Sequence, residues 1–375
     1  FTIANYGGYY AYYLNVLTFP ETHEEWTVKL DAVLSDEHRA TLNVSHSEDL
    51  TPQRYNNWSR VVFSNNWYYK PPEIDRASFT LYSDWSDRLS TKFKYTSYEM
   101  EEDDASYGDD FFPEMNITVR DPDTGDRDNV FLGGDRYRGA NLINVESEFL
   151  TLKADYNMDD HVYTIGYERD DSDVVNLFIA RYNAEVRFNS FDDYKIGKWS
   201  RLRIHEPYAG HNAVQSMAAD FEVEKQSMYI QDRWFVNSDL TVQYGVRYDS
   251  VLTPIAPDTN VNFVKEYGFS NASKFDFEVL QPRFSFNMNV SESLFGNSDR
   301  VVAATLRGGR GLFMGRIPRV WYGNAYSRTG ATGDYRGWFS FDETASNFPG
   351  YMPVGSDPTA FWLTAPSKYV VPDGN

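Results

Sequence analysis

The chain has 375 residues and carries 35 Lys and Arg against 55 Asp and Glu, a formal net charge of −20, so nucleic acid is not expected as a partner through a basic surface. Cysteine is absent, which excludes disulfides and thiolate metal sites, and no run approaches the roughly 18 consecutive apolar residues of a membrane-spanning helix. Against a mean hydropathy of −0.57, 9 Trp, 28 Tyr and 26 Phe make up 17% of the residues, so amphipathic rings are used in quantity without a large apolar core.

The sequence opens on Phe1 with no start methionine or apolar leader before it, and closes on the turn-forming Pro372-Asp373-Gly374-Asn375. It reads as an internal segment of a longer protein. From there, alternating apolar and polar residues mark strands whose two faces meet different surroundings. In the first hairpin Trp26, Val28, Leu30 and Ala32 alternate with Thr27, Lys29 and Asp31, and the return run holds Ala40, Leu42 and Val44. A second runs through Phe79 and Leu81, turns at Ser86-Asp87-Arg88, and comes back through Leu89, Phe93 and Tyr95. The third joins Leu150, Leu152, Ala154 and Tyr156 to Tyr163, Ile165 and Tyr167 across Asp159-Asp160. The fourth turns at Asn237-Ser238-Asp239 into Leu240, Val242, Tyr244, Val246 and Tyr248, and the fifth pairs Phe284, Phe286, Met288 and Val290 with Val302, Ala304 and Leu306 near Gly296-Asn297.

Links within the hairpins are short, whereas those between them are long, over 49–75, 99–144, 170–215 and 250–279. A soluble sandwich has no reason for that rhythm; a transmembrane barrel has, with short periplasmic turns at one end and long extracellular loops at the other. About ten residues per strand, at ~3.3 Å each and tilted about 45°, rise roughly 23 Å, close to an apolar band of about 25 Å. The expected fold is therefore all-β, an antiparallel transmembrane β-barrel, with 1–375 as one barrel segment in a bacterial outer membrane. Its strands must close without free edges in hydrocarbon, and flanking chain is expected to supply the rest. Outer-membrane lipid and lipopolysaccharide are then the outward partners. Trp26, Trp85, Trp234, Tyr244 and Tyr248 are candidates for the interfacial girdle, and Lys29, Asp31, Lys92, Lys94, Gln243 and Arg247 should face the lumen.

The run Ser227-Met228-Tyr229-Ile230-Gln231-Asp232-Arg233-Trp234, followed by Leu240-Thr241-Val242-Gln243-Tyr244-Gly245-Val246-Arg247-Tyr248-Asp249, resembles the barrel hairpin of TonB-dependent outer-membrane receptors. So do 156–167, with His161 after the turn, and Leu280-Gln281-Pro282-Arg283-Phe284-Ser285-Phe286. The stretch 306–318, rich in Gly and Arg, and its continuation through Val320-Trp321 to Asn324-Ala325-Tyr326-Ser327 are similar to the Oar-like branch. The resemblance implies a barrel of about 22 strands, a plug domain, a TonB-contacting segment upstream and a C-terminal aromatic strand. It implies a receptor that captures an extracellular ligand with its loops and passes it through a plug-gated lumen with the TonB complex as partner. A non-transporting adhesive or structural barrel, and a soluble extracellular carbohydrate-binding β protein, remain the rival readings.

Catalytic and cofactor-binding residues are not expected: there is no phosphate-binding glycine loop or nucleophile elbow, and Gly309, Gly311 and Gly315 miss the dinucleotide spacing. His205 and His211 flank Glu206-Pro207, where the proline spoils a helical zinc motif. Between Glu99 and Asp128 lie twelve acidic and two basic residues. Within that stretch Asp121, Asp123, Asp126 and Asp128 alternate around Gly125, a ligand type and curvature suited to calcium on an extracellular loop, against the alternative of a solvated acidic loop. Trp67, Tyr68, Tyr69, Trp321 and Tyr322 are the candidates for loop contacts to a ligand, packing or a girdle being the other use of such rings. Asn-x-Ser/Thr triplets at Asn43, Asn57, Asn116, Asn271 and Asn289 are chance matches in an outer-membrane protein. The Pro- and Gly-rich stretch 329–375 reads as a long irregular loop.

Overall fold

A computed structural model describes residues 21–53, 59–106, 113–196, 198–207, 217–296, 301, 303–327, 329–331 and 333–338. Asn57, His211, Asn297, Val302 and the prolines Pro349, Pro353, Pro358, Pro366 and Pro372 lie outside these residues. Each two-residue alternation becomes a strand: β1 Thr22–Val33, β2 His38–Gln53, β3 Arg60–Val62, β4 Tyr68–Lys70, β5 Glu73–Asp84, β6 Leu89–Asp103, β7 Ala105–Ser106, β8 Glu114–Arg120, β9 Arg127–Leu132, β10 Asn141–Met158 and β11 His161–Phe178. The series continues with β12 Glu185–Phe188, β13 Arg201–Pro207, β14 Ala219–Phe235, β15 Leu240–Leu252, β16 Phe277–Asn289, β17 Thr305–Gly311 and β18 Gly333–Trp338. Among the described residues four short α-helices interrupt them: α1 Phe191–Lys195, α2 Val261–Tyr267, α3 Ser291–Phe295 and α4 Arg319–Ser327.

Twelve strands form the larger sheet; β4 and β7 are short extensions, so ten make up the main wall. The order β17-β16-β15-β14-β11-β10-β6-β5-β2, with β1 on the far side of β2, is an antiparallel meander of the five expected hairpins. Its register carries the physical argument. One line crosses nine strands through Ala32, Ala40, Leu81, Phe93, Leu152, Tyr167, Met228, Tyr248 and Leu280. The adjacent line on the opposite face reads Asp31, Thr41, Thr80, Lys94, Thr151, Glu168, Ser227, Asp249 and Val279. Because strand side chains alternate, the apolar row and the polar row lie on opposite faces of one sheet. The apolar face is bare: Leu30 is 60% exposed, Ile165 58%, Met228 58% and Leu280 60%. Lys29, Asp31, Lys92, Lys94, Gln243 and Arg247 all share the polar face, as expected from their parity.

Close contact between strands is secured at Gly166, where a Cβ would overlap the ring of Tyr229 lying across it on the neighbouring strand. An aromatic ring covering a strand glycine fills the space the missing side chain leaves.

Three of the four long connections are more than loops. Segments from the first three, with the later strand β18, assemble a second sheet of six strands in the order β18-β13-β12-β8-β9-β3. Two of its pairings are parallel, β12 with β8 and β3 with β9. It has an ordinary core: Met115, Ile117, Val186, Phe188, Leu202 and Ile204 are buried together, with Phe191, Tyr194 and Trp199 packed against them. Two sequence expectations are corrected by this. The acidic stretch from Glu99 begins inside β6, which runs on to Asp103, because a strand beyond the apolar band has water on both sides and loses its apolar alternation. The stretch after Thr329, expected to be irregular, contributes β18, an edge strand paired with β13.

Candidate functional site

The polar face of the wall carries side chains that touch across strands. Arg247 on β15 pairs with Glu168 on β11 at 2.7 Å and with Asp249 at 2.8 Å. Gln281 on β16 donates from Nε2 to Asp249, while its Oε1 accepts from Arg283 Nη2 at 3.2 Å and from the backbone N–H of Met314 at 2.8 Å. A neighbouring rung joins Gln243 Nε2 to Gln231 Oε1 at 3.1 Å. Of these groups Glu168, Gln231, Gln243, Arg247 and Arg283 line a cavity of about 600 Å³ against the sheet. Arg247 is neutralised there by Glu168 and Asp249, whereas Arg283 and Arg310, which also line the cavity, form no ion pair among the described residues. The polar face also anchors the chain after β17, since Leu312 N–H donates to Pro282 O at 3.0 Å and Arg283 lies 4.6 Å from the ring of Phe313.

The opposite face changes character along the strands. Beyond the apolar band, at the end that carries the second sheet, one register line holds His46, Asp75, Glu99, Glu146, Asp173 and Glu222 on six neighbouring strands. Trp26 stacks on His46 at this boundary, with ring centroids 5.8 Å apart. At the short-turn end His161 is sandwiched between Tyr163 and Trp234, both at 5.5 Å, and its Nδ1 lies 2.7 Å from Asp232 Oδ2. Of the expected girdle, Trp26, Trp85 and Trp234 thus fall at the two rims, and Tyr244 and Tyr248 lie one register step to either side of Val246 within the band. The acidic row was not recognised from sequence, although the parity of Glu99, Glu146, Asp173 and Glu222 with the apolar residues of their own strands was there to read.

In the second sheet four guanidinium groups converge on one buried carboxylate. Glu185 accepts from Arg181 Nε at 2.6 Å, Arg136 Nη1 at 3.3 Å and Arg201 Nη2 at 3.4 Å, and also from Arg203. Burial alone would raise its proton affinity, but the hydrogen bonds from Arg203 and Arg181 and the charge of Arg136 hold the carboxyl below its usual range. Glu114, also buried, has a different fate. Its Oε2 accepts from Arg136 N–H at 3.2 Å and Asn66 Nδ2 at 3.4 Å, but burial outweighs the one nearby guanidinium and pushes the carboxyl up to about 7. Where this sheet meets the wall, Asp104 pairs with Arg138 at 2.6 Å and accepts from Asn141, and the Arg138 guanidinium sits 4.5 Å from the ring centroid of Tyr68.

The predicted loop residues are placed as follows. Trp67 is 6% and Tyr68 1% exposed, both packed where the connections fold, and Tyr322 is 2% exposed under α4. Their rings are committed to packing and offer no stacking face to an outside ligand; Tyr69 is half-buried, and Trp321 is exposed. Asp121, Asp123, Asp126 and Asp128 sit in and beside the turn between β8 and β9. Asp121 Oδ1 accepts from the N–H groups of Asp123 at 2.7 Å and Thr124 at 3.0 Å, and Asp126 accepts from Thr124 Oγ1 at 3.0 Å. Those backbone donors hold the Asp121 carboxyl below its usual range. No three of the four bring their carboxylates together. Among the described residues, the side chains whose ligand atoms do converge are His46, Glu73 and Asp75, within 4.8 Å of one another, at the acidic boundary of the wall. Asn43 and Asn289 lie within strands, as their alternation indicated.

The sequence matches no family model and no curated protein. Among solved structures, the chain is similar to the outer membrane transporter YddB from Escherichia coli, with a TM-score of 0.45 and 14% identity. The likeness covers 74% of this chain and 30% of that one, so the chain spans less than a third of that protein's length.

Proposed function

We propose that this chain is a wall segment of an outer-membrane barrel of the TonB-dependent receptor type, in its Oar-like branch. The bare apolar face meets lipid, with the acidic row at the headgroup boundary next to lipopolysaccharide. The polar face lines the lumen. The second sheet, built from the connections, takes the place of long loops on the outside of the cell, where a ligand is captured before it passes a plug under the drive of the TonB complex. What supports the reading is the nine-strand apolar row left without protein cover on a face whose reverse carries the polar row and its cross-strand ion pairs, since a sheet in water buries such a row. A calcium ion held by Asp121, Asp123, Asp126 and Asp128 stays a proposal of the same kind, to be read by exchange protection of that turn with and without the ion.

The test is extraction of the complete protein from membranes. It is expected to leave the membrane only with detergent and to migrate as a compact, heat-modifiable band; release as a monodisperse species into plain buffer would overturn the proposal. Uptake by cells carrying the complete protein, with and without TonB, then separates transport from adhesion.

A further inference from the structure

A second cavity, of about 670 Å³, lies on the polar face of the wall, between the sheet and the segment that leads into α4. Like the first cavity, it is lined by more cations than carboxylates. Arg76, Lys225, Arg316 and Arg319 all contribute, and Asp170 is the single carboxylate, giving a local charge of 4 − 1 = +3 in a chain of −20. None of the four cations forms an ion pair among the described residues. Arg76 lies 5.3 Å from the ring centroid of Tyr98, and Arg319 donates from Nη2 to Ser172 Oγ at 2.6 Å, which leaves most of its donors unspent.

Tyr322 also lines the cavity; its ring is 2% exposed and stacked on Phe221 with centroids 5.9 Å apart, and its hydroxyl is buried without a hydrogen-bond partner among the described residues. A buried hydroxyl is ordinarily paired; this one is raised in proton affinity by burial and by the nearby Tyr326 and Asp276. Helix α4 starts at Arg319, so its positive end lies on the same wall. Burial, offset only in part by the charge of Asp170, and the charge of Arg316 hold the Arg319 guanidinium below its ordinary proton affinity.

We infer that this cavity binds a small polyanion, a polycarboxylate or a phosphate-bearing molecule, through Arg76, Lys225, Arg316 and Arg319. Planar guanidinium groups match carboxylate and phosphate oxygens in pairs. The neighbouring cavity differs in that its Arg247 is already paired with Glu168 and Asp249. The inference deepens the receptor reading, since it names the ligand class for a lumenal surface, but the binding itself does not depend on transport.

The experiment is calorimetric titration of the complete detergent-solubilised protein, at low ionic strength, with pyrophosphate and separately with citrate. At least one of the two is expected to bind, and added salt to weaken it. Arg316→Gln, at an exposed position, and Arg319→Gln are each expected to weaken binding about tenfold, the loss of one charge-assisted contact. Relative to Arg319→Gln, Arg319→Lys should restore part of it. Arg39→Gln, at the short-turn end of the wall, is expected to change nothing. Absence of binding by either anion up to about 1 mM, or equal binding by wild type and the Arg316→Gln/Arg319→Gln double variant with both migrating as folded, overturns the inference. Release of the protein without detergent would instead overturn the receptor reading and leave the anion site standing.

Discussion

Ile230 and Ile117 are the same residue in the same secondary structure, yet Ile230 is 51% exposed in the wall and Ile117 is 0% exposed in the second sheet. The smaller sheet obeys the rule for proteins in water, with Met115, Phe188, Leu202 and Ile204 hidden around Ile117. The wall inverts it: apolar rows face out, and the side chains that touch one another, such as Arg247, Glu168 and Asp249, lie on the polar face. One chain therefore needs two solvents. The comparison teaches that an exposed apolar residue is informative only when its whole register line behaves likewise.

The comparison breaks most severely if the smaller sheet is not held by its own core. Phe188→Ala removes a fully buried ring and is expected to destabilise that sheet by about 3–5 kcal/mol. Hydrogen exchange should then accelerate over β8, β12 and β13 while the ladder between β10 and β11 stays protected. Next in size is Ile230→Lys, a charge placed on the apolar row, with an expected cost of about 2–4 kcal/mol in a bilayer. Reversible unfolding from lipid vesicles measures it, and a tolerated lysine there would count heavily against a lipid-facing orientation. Gly166→Val tests the contact between strands: the new side chain must displace the Tyr229 ring, at a cost of about 1–3 kcal/mol, and Tyr229→Ala in the same background should recover part of the loss.

The smallest effect is one of pH. Burial raises Glu114 from 4.5 to about 7, so the folded sheet holds a proton that the unfolded chain releases at lower pH. The stabilisation is complete below about 4.5 and is lost as pH rises through about 7. Exchange protection in β8 should therefore fall between these values, and Glu114→Gln should flatten the dependence. An unchanged slope in that variant would assign the titration to Asp104 or Asp135, which burial also raises.

Much of the wall was legible because strand alternation is a local property. Trp26 to Ala32, or Leu240 to Tyr248, shows the period within a few residues, and turns such as Asn237-Ser238-Asp239 close the hairpins with neighbours in sequence. The second sheet was not legible for the converse reason. Its strands are as short as Arg60–Val62 and Glu185–Phe188, and they pair in parallel across more than sixty residues of chain, between β3 and β9 and between β8 and β12. The acidic calcium candidate was chosen by composition, yet Asp121 spends its carboxylate on its own turn, a local use that the same residues equally allow. Rings at Trp67, Tyr68 and Tyr322 were selected for their chemistry, whereas their availability depends on what covers them.

By itself, the sequence determined the antiparallel β class, the hairpin order and the parity of every wall residue, because the two-residue period and the turn signals act over a few neighbours. Only the tertiary structure decided that the connections fold into a sheet of their own, that Glu99, Glu146, Asp173 and Glu222 form a single row, and that four unpaired cations meet beneath α4. Those outcomes depend on which distant segments come to lie side by side, and register between strands far apart in sequence is set by packing that no local pattern encodes.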